Sequence, residues 1–265
     1  MLVQYKAEPT AAAFHANDEF VRGIMGPIGS GKSVACVLEI LKRSLAQTPN
    51  QNNVRQTRWA IIRNTYPELK STTIRTFSDW IPEHLCPIKW DAPISGRMKI
   101  KDIGDGTGVD MEILFLALDR PQDIKKLLSL ELTGGWINEA REINKAVLDG
   151  LTGRVGRFPS KREGGPTYSG IIMDTNPPDD DHWWYKLAEV EQPKGFVFWQ
   201  QPPALNQVGD DYEPNPLAEN VIHQPLGHEY WLRQVYGKNR DWINVYVMGS
   251  YGAVMDGKPV WPEYN

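Results

Sequence analysis

The chain has 265 residues, 41% of them hydrophobic, and a formal net charge of −4. This length and composition indicate one large globular domain, or a domain with a small appendage. The acidic balance argues against a protein that is basic over its whole surface, as a general nucleic-acid binder would be, but allows a local basic patch. Cys36 and Cys86 have no metal-ligand or disulfide-framework spacing, and no apolar run approaches the roughly 20 residues of a membrane span. We therefore expect a cytosolic protein without membrane contact.

A phosphate-binding loop is the first strong signal in chain order. Residues 26–33 fit the pattern G-x-x-x-x-G-K-[ST]. The apolar run at 20–25 predicts a buried strand before the loop, and the uninterrupted run at 34–43 predicts a helix after it. Glycines let backbone N–H groups point at phosphate oxygens, while Lys32, at the solvent-facing mouth, would reach the β- and γ-phosphates and Ser33 would bind Mg²⁺. The predicted nucleotide-binding residues of the loop are Gly26, Pro27, Ile28, Gly29, Ser30, Gly31, Lys32 and Ser33.

The rest of the chain alternates between strand and helix patterns. Apolar runs predict strands at 59–63, 111–118, 130–140, 169–173 and 196–199, and a hairpin within 87–110. Helices are predicted at 69–80, 121–128, 143–151 and 228–236, with short strands in the remaining C-terminal stretch. This alternation predicts an α/β fold with a mostly parallel sheet flanked by helices.

Nucleotide hydrolysis needs an acidic site beside the loop, and two strand ends compete for that role. Asp119 follows a clean apolar strand, but no second carboxylate stands beside it. The stretch Gly135–Glu139 ends a strand with an amide and an acid, so Glu139 could act as base while Asn138 holds metal-bound water. The pattern slightly favours Asp119 and the chemistry favours Glu139, so the residues alone leave both open.

Five motifs, in their order and spacing, resemble the ATPase domain of the large terminase subunit of tailed bacteriophages. They are Phe14-His15, the loop at 26–33, Arg63–Leu69, Gly135–Ala140 and Asp174–Pro178. The resemblance covers nearly the whole chain. It implies a P-loop NTPase core of the RecA-like (ASCE) kind at residues 1–230 and a small lid or linker segment at 231–265, which would lead to a nuclease domain. We expect no nuclease activity from these 265 residues.

The resemblance also implies roles for single residues. Glu139 would be the catalytic carboxylate at the end of the Walker B strand. Asn176 would belong to the coupling motif that senses the γ-phosphate. Phe14 and His15 fall where the family contacts the adenine side of the nucleotide, and so does the turn at Arg63.

The chain departs from the family pattern at the Walker B strand. The family usually carries Asp before the catalytic Glu, whereas this chain has Asn138. An amide binds Mg²⁺ or its waters less well than a carboxylate, so metal binding should be weaker unless Asp174, at a neighbouring strand end, compensates. Ser33 and Asn138 are the metal-binding residues that the sequence predicts.

A second departure lies in the phosphate-binding loop. Many family members carry an arginine there, and this loop has none. A stabilising arginine must then come from elsewhere, and the best candidates are Arg154 and Arg157, acting on the nucleotide of a neighbouring subunit. Arg141 is the second choice.

The function implied is ATP hydrolysis, with Mg²⁺, that powers translocation of viral double-stranded DNA into a procapsid. The implied partners are DNA, the portal protein, the small terminase subunit and further copies of the chain, in a ring on the procapsid and as a monomer in isolation, within the host cell cytoplasm. Three alternatives remain open at this point: a helicase-like nucleic-acid-dependent ATPase, a small-molecule phosphotransferase, and a nucleotide-binding assembly scaffold that does not hydrolyse ATP.

Overall fold

A mixed sheet of eight strands organises the protein. The computed structural model describes residues 5–118 and 123–254. The strands of the sheet are β1 (Val21–Met25), β2 (Val54–Arg63), β3 (Ile88–Lys89), β4 (Ser95–Ile100), β5 (Gly108–Ala117), β6 (Gly134–Asn138), β7 (Gly170–Thr175) and β8 (Phe196–Gln200). Their spatial order is β3-β4-β5-β2-β6-β7-β1-β8, and all pairs are parallel except β3–β4 and β4–β5. The predicted mostly parallel α/β fold is confirmed.

Helices of varied length connect the strands. They are α1 (Pro9–Ala16), α2 (Lys32–Ala46), α3 (Tyr66–Glu68), α4 (Arg75–Trp80), α5 (Ile124–Leu128), α6 (Lys145–Thr152), α7 (Trp183–Tyr185), α8 (Glu229–Val235) and α9 (Arg240–Tyr246). A π-helical segment at Leu69–Ile74 joins α3 to α4, and another at Lys186–Glu191 continues α7. A small antiparallel hairpin of β9 (Leu205–Val208) and β10 (Asp211–Pro214) lies outside the main sheet.

Two apolar layers enclose the parallel strands, one on each face of the sheet. Successive side chains of a strand point to opposite faces, so Trp136 belongs to the layer that contains α2 and Ile137 to the layer that contains α6. The neighbouring strand repeats this alternation with Ile172 and Met173. Burial on both faces is typical of parallel sheets and explains why these strands read as continuous apolar runs.

The strand order also determines where polar side chains can meet. Strands β6, β7 and β1 are parallel neighbours, so their carboxyl ends lie at the same edge of the sheet. In the register, Asn138 lies opposite Asp174, which in turn lies opposite Ile24, two residues before the phosphate-binding loop. Residues that are more than a hundred positions apart in sequence are thereby placed side by side.

The chain after β8 forms a third apolar cluster, and here the sequence prediction was partly wrong. Buried residues of this cluster are Ala204, Leu205, Trp231, Ile243 and Val247. Short strands were predicted after residue 236, whereas residues 240–246 form α9, which begins after Asn239 with the side chain of Asn239 accepting from Trp242 N. The helix was missed because it is only seven residues long and precedes two glycines, which favoured a strand reading.

Two other boundaries differ from the sequence prediction. Strand β2 begins at Val54, five residues before the predicted start, because its pairing with β5 extends through the polar residues at 54–58. The helix predicted at 121–128 is observed as α5 from Ile124, and residues 121 and 122 lie outside the described part of the chain.

A buried charge network ties α1 and α2 to β1. The side chains of Arg22 and Glu39 are both fully buried and form an ion pair of 2.7 Å. Glu39 also accepts hydrogen bonds from His15 Nδ1 at 2.7 Å and Arg43 Nε at 2.6 Å. Burial by itself raises the pKa of Glu39, but the hydrogen bond of His15 and the charges of Arg22 and Arg43 outweigh it and lower that pKa to about 2.

We expect this network to stabilise the fold in a pH-dependent way. Because the pKa of Glu39 is depressed from 4.5 to about 2, its contribution is complete above about pH 5 and is lost as the pH falls toward 2. Glu39→Gln should lower the free energy of unfolding by about 3 kcal/mol at pH 7, since it leaves Arg22 buried without its partner. In urea titrations, the difference in the free energy of unfolding between wild type and variant should become smaller by about 2 kcal/mol as the pH falls from 6 to 3.

The exposed Glu191 provides a matched control. Glu191→Gln should change the free energy of unfolding by less than about 0.5 kcal/mol at any of these pH values. A Glu39→Gln deficit that stays constant across the pH range would contradict the assignment of a depressed pKa to Glu39.

Candidate active site

The phosphate-binding loop connects β1 to α2 at the carboxyl edge of the sheet. Gly29 and Gly31 have φ values of +70° and +84°, a conformation that L-residues rarely adopt. A Cβ on Gly29 would also lie 2.8 Å from the ring of Tyr230. Helix α2 begins at Lys32, so its amino end and positive dipole point toward the loop, an arrangement that suits an anionic ligand.

Lys32 does not lie at the solvent-facing mouth as predicted. Its side chain is 6% exposed, and Nζ donates to the carbonyl oxygens of Gly26 at 3.1 Å and Pro27 at 2.6 Å. Burial lowers the pKa of Lys32, while the nearby Glu139 and Asp174 act in the opposite direction. The predicted contact with phosphates therefore requires the ammonium group to exchange these carbonyl oxygens for phosphate oxygens.

Ser33, Asn138 and Asp174 form a hydrogen-bonded cluster beside the start of α2. Ser33 Oγ donates to Asp174 Oδ2 at 2.6 Å, and Asn138 Nδ2 lies 3.0 and 3.1 Å from the two oxygens of Asp174. The fully buried Asp174 also accepts from Trp136 Nε1 at 2.7 Å. A serine hydroxyl and a carboxylate on neighbouring elements suit Mg²⁺, which uses one or two carboxylates together with the phosphates of its nucleotide.

Asn138 does not present its oxygen to this cluster. Its Oδ1 accepts from the hydroxyl of Thr73 at 2.6 Å, and its amino group faces Ser33 and Asp174. Turning the amide over would set its oxygen against the carboxylate of Asp174, two acceptors facing each other. An amino group cannot bind a cation, so this orientation argues against the predicted role of Asn138 as a metal ligand.

Glu139 stands at the end of β6 in a left-handed conformation, with φ of +52°. Such a conformation is uncommon for a residue other than glycine and costs free energy. Strained residues of this kind are often found at functional sites. Burial raises the pKa of Glu139, and the charge of Asp174 raises it further, against the opposing charges of Lys32 and Arg63. A carboxylate whose pKa is raised is a stronger base than an ordinary one.

Asn176 connects the end of β7 to the phosphate-binding loop. Its Nδ2 donates to Gly26 O at 2.9 Å, and its backbone N–H lies 3.4 Å from Glu139 Oε2. Asn176 therefore contacts both the loop and the carboxylate of Glu139.

Two adjoining cavities flank the loop. One of about 340 Å³ is lined by Lys32, Ser33, Glu139 and Asn176. The other, of about 370 Å³, shares Ser30, Gly31 and Val34 with the first and extends to Tyr5 and Trp80. The first cavity has the polar lining that phosphates need. The second combines the rings of Tyr5 and Trp80 with polar side chains such as Gln201, a mixture that suits a base.

Phe14 and His15 do not line either cavity. Phe14 is fully buried, and its ring lies 4.9 Å from the guanidinium of Arg22. His15 bridges Tyr5 and Glu39 through hydrogen bonds of 3.0 and 2.7 Å. The adenine contact predicted for this pair is thus replaced by a supporting one, in which His15 holds Tyr5 at the wall of the second cavity.

The four arginines named from the sequence lie at both edges of the sheet. Arg154 and Arg157 sit beside Leu132, at the amino end of β6 and so at the edge of the sheet opposite the loop. They cannot reach the cavity of their own chain. Arg63 ends β2, pairs with Glu142 at 3.0 Å, and acts by its charge on Glu139. Arg141 is on the loop side of the sheet, where its guanidinium donates to Pro177 O.

The competing acid, Asp119, lies outside the described residues. The strand before it, β5, is separated from β1 by β2, β6 and β7, whereas β6 is separated from β1 by β7 alone. Of the two candidate strands, the one that precedes Glu139 lies nearer to the loop. The topology therefore favours Glu139.

Several residues at the loop were not found from the sequence. Gln201 accepts from Ser30 Oγ at 2.6 Å, and Asn220 and Gln224 donate to Gly29 O at 2.7 and 2.6 Å. No local motif marks these amides, since their role arises from the packing of the C-terminal segment against the loop. Within residues 5–118 and 123–254, no group of three His, Cys, Asp or Glu could hold a metal, and no helix is long and apolar enough to cross a membrane.

Comparisons with known proteins give a family and a fold. Residues 19–192 match the family described as phage terminase large subunit. No curated protein sequence matches the chain.

Solved structures of three phage proteins resemble this one. The large terminase of a thermophilic bacteriophage in complex with ADP superimposes with a TM-score of 0.61 at 12% identity, over 93% of this chain and 50% of that one. The ATPase domain of the Thermus phage P74-26 large terminase superimposes with a TM-score of 0.56 at 12% identity, over 93% of this chain and 94% of that one. The bacteriophage HK97 large terminase superimposes with a TM-score of 0.57 at 10% identity, over 93% of this chain and 51% of that one. This chain thus spans about half the length of two of these relatives.

The geometry of Lys32 yields a test of the loop. We expect Lys32→Ala to bind ADP and ATP about 10- to 100-fold more weakly in calorimetric titrations, because a charge-assisted contact with the phosphates is lost. The fold should persist, since Gly26 O keeps the hydrogen bond from Asn176 and Pro27 O keeps that from Ser30. Lys89→Ala, on an exposed edge strand, is the control. Equal affinities for the two variants would contradict the assignment of the loop.

Proposed function

The chain belongs to the phage terminase large subunit family, and we propose that it is the ATPase part of a motor that drives viral double-stranded DNA into a procapsid. The observation that carries the proposal is the meeting of three elements at one sheet edge: the phosphate-binding loop after β1, Glu139 after β6 and Asn176 after β7. Their arrangement supplies an anion site, a base and a contact between the two.

ATP would bind with its phosphates in the first cavity and its base in the second. The loop N–H groups and Lys32 would hold the β- and γ-phosphates, and the rings of Tyr5 and Trp80 would enclose the adenine. Ser33 and Asp174 are the side chains available to hold Mg²⁺, which when bound neutralises charge on the phosphates. The complex of one phage relative with ADP supports a nucleotide site in this fold.

Glu139 would orient the attacking water and accept its proton. Its raised pKa supports this role, because burial and the charge of Asp174 make the carboxylate more basic. Asn176 would then report the state of the γ-phosphate to the loop through its bond to Gly26 O. The reaction is in-line attack of water on the γ-phosphorus, in which the loop and Lys32 stabilise the charge that develops.

We propose two structural parts, an ATPase core and a C-terminal lid or linker segment. The boundary suggested by sequence, between residues 230 and 231, divides the third apolar cluster. A boundary near residue 200, directly after β8, keeps Ala204, Leu205, Trp231 and Ile243 together in one unit. The lid would extend from there into the C-terminal residues, of which 255–265 lie outside the described part.

The proposed partners are double-stranded DNA, the portal protein, the small terminase subunit and further copies of the chain in a ring on the procapsid, within the host cell cytoplasm. The family membership supports a place in the packaging machinery. Arg154 and Arg157 lie at the opposite edge of the sheet from the loop, so any catalytic role for them must be exerted on a neighbouring subunit.

Hydrolysis by Glu139 variants tests the proposed function. We expect Glu139→Gln to retain ATP binding and to lose turnover by about a hundredfold or more, because the base is lost. Glu131→Gln is the matched control, since this exposed glutamate lies near the opposite end of the same strand and should hydrolyse ATP at the wild-type rate. Phosphate release should be measured with and without DNA.

The same assay distinguishes the alternatives. A wild-type protein that binds ATP without hydrolysing it under any condition would be an assembly scaffold. Turnover that requires a small-molecule acceptor and ignores DNA would indicate a phosphotransferase.

Mixing of subunits tests the arginines. Lys32→Ala keeps both arginines, and a chain with Arg154→Ala and Arg157→Ala keeps its loop. If the arginines act in trans, a mixture assembled on portal and DNA should regain part of the hydrolysis that each variant alone lacks, because an arginine supplied in trans accelerates such reactions by about 10³- to 10⁵-fold.

Arg162→Ala, on an exposed turn, is the control for the arginine substitutions. Dilute monomer should hydrolyse ATP slowly. Full activity in that dilute monomer, together with an inactive mixture, would contradict the proposal that Arg154 and Arg157 act on the nucleotide of a neighbouring subunit.

A further inference from the structure

Asp174 is the second buried acid at the carboxyl edge of the sheet. It is fully buried on β7 and accepts hydrogen bonds from three side chains on two elements: Ser33 at the start of α2, and Trp136 and Asn138 on β6. A buried carboxylate without a salt bridge is costly, so a purely structural Asp174 would be better replaced by an apolar residue. Its position beside the loop serine indicates a functional reason.

The surrounding groups orient the carboxylate toward the loop. Thr73 fixes the amide of Asn138 from behind, and the amino group of Asn138 then donates to Asp174. The residue at the end of β6 is therefore a donor that supports a carboxylate, and the carboxylate itself stands one strand nearer to the loop. Asn138 and Asp174 are register partners, so the negative charge has moved across a single strand pair.

We propose that Asp174, and not the residue at position 138, supplies the negative charge of the magnesium site, while Asn138 holds Asp174 in place. The inference rests on the proposed ATPase function, because it concerns the metal that accompanies the nucleotide. Asp174 reaches the site through the Ser33 hydroxyl, 2.6 Å away.

The placement also separates two acids that act differently. Glu139 and Asp174 come from different strands, and the fold keeps one at the metal side, next to Ser33, and the other beside Asn176. If Asn138 stood in place of an acid in the Mg²⁺ shell, Asn138→Asp alone would strengthen metal binding. With Asp174 about 3 Å from the amide nitrogen, that substitution instead forces two carboxylates together and should lower stability.

Metal binding by exchanged variants tests the proposal. Mn²⁺ is titrated into the ADP-saturated full chain and free Mn²⁺ is followed by electron paramagnetic resonance. We expect Asp174→Asn to weaken Mn²⁺ binding by about 10- to 100-fold, with the affinity for ADP in the presence of a chelator unchanged within about threefold. The double variant Asn138→Asp with Asp174→Asn should recover most of the metal affinity, since it returns the charge to the neighbouring strand.

Asp149→Asn, on the exposed side of α6, is the matched control and should bind Mn²⁺ as the wild type does. Wild-type metal affinity in Asp174→Asn would overturn the proposal. So would a loss of ADP affinity in the chelator that equals the loss of Mn²⁺ affinity, because that is the signature of a merely structural residue.

A measurement on the wild-type protein covers the case in which the variants do not fold. The indole N–H of Trp136 donates to Asp174 Oδ1, so its resonance in the assigned spectrum should shift when Mg²⁺ is added to the ADP complex. No Mg²⁺-dependent shift would overturn the proposal. Normal metal binding in a chain that never hydrolyses ATP would instead overturn the proposed function and leave the role of Asp174 standing.

Discussion

The site depends on one topological constraint, the parallel adjacency of β1, β7 and β6. Parallel neighbours end at the same edge of a sheet, so the loop, Asn176 and Glu139 must meet once this order is formed. The apolar layers on both faces enforce the order, because a shift of register by one residue would exchange Trp136 and Ile137 between the layers. Packing far from the cavity thereby positions the chemistry within it.

Two buried carboxylates illustrate opposite solutions to the cost of burying charge. Glu39 is neutralised by Arg22 and Arg43, which lower its pKa, and the result is a rigid link between α1, α2 and β1. Asp174 has only neutral donors around it, so its charge remains available to a cation. Glu39 therefore stabilises the fold, whereas the fold keeps Asp174 in a position where it can bind a cation.

Much of this arrangement could be predicted from sequence, and the exceptions share a physical cause. The loop was predictable because its residues are contiguous, and Glu139 because it ends an apolar strand. The choice between Glu139 and Asp119 needed the strand order, and the buried position of Lys32 needed the geometry of the loop carbonyls. The donor orientation of Asn138 depends on Thr73, a contact across 65 positions that no local pattern reveals.

The hydrogen bonds from the C-terminal segment to the phosphate-binding loop have a thermodynamic consequence. Gly29 O is held by Asn220 and Gln224, and Ile28 O by the indole of Trp231. A hydrogen bond that fixes a carbonyl also fixes the orientation of the N–H in the same peptide unit. The loop is therefore preorganised by residues 191 to 203 positions away in sequence. Because linkage between sites is reciprocal, any pull that detaches this segment must weaken nucleotide affinity, and a bound nucleotide must resist that pull to the same degree. A single coupling free energy therefore determines both how mechanical load on the C-terminal segment changes nucleotide affinity and how a bound nucleotide changes the resistance to that load.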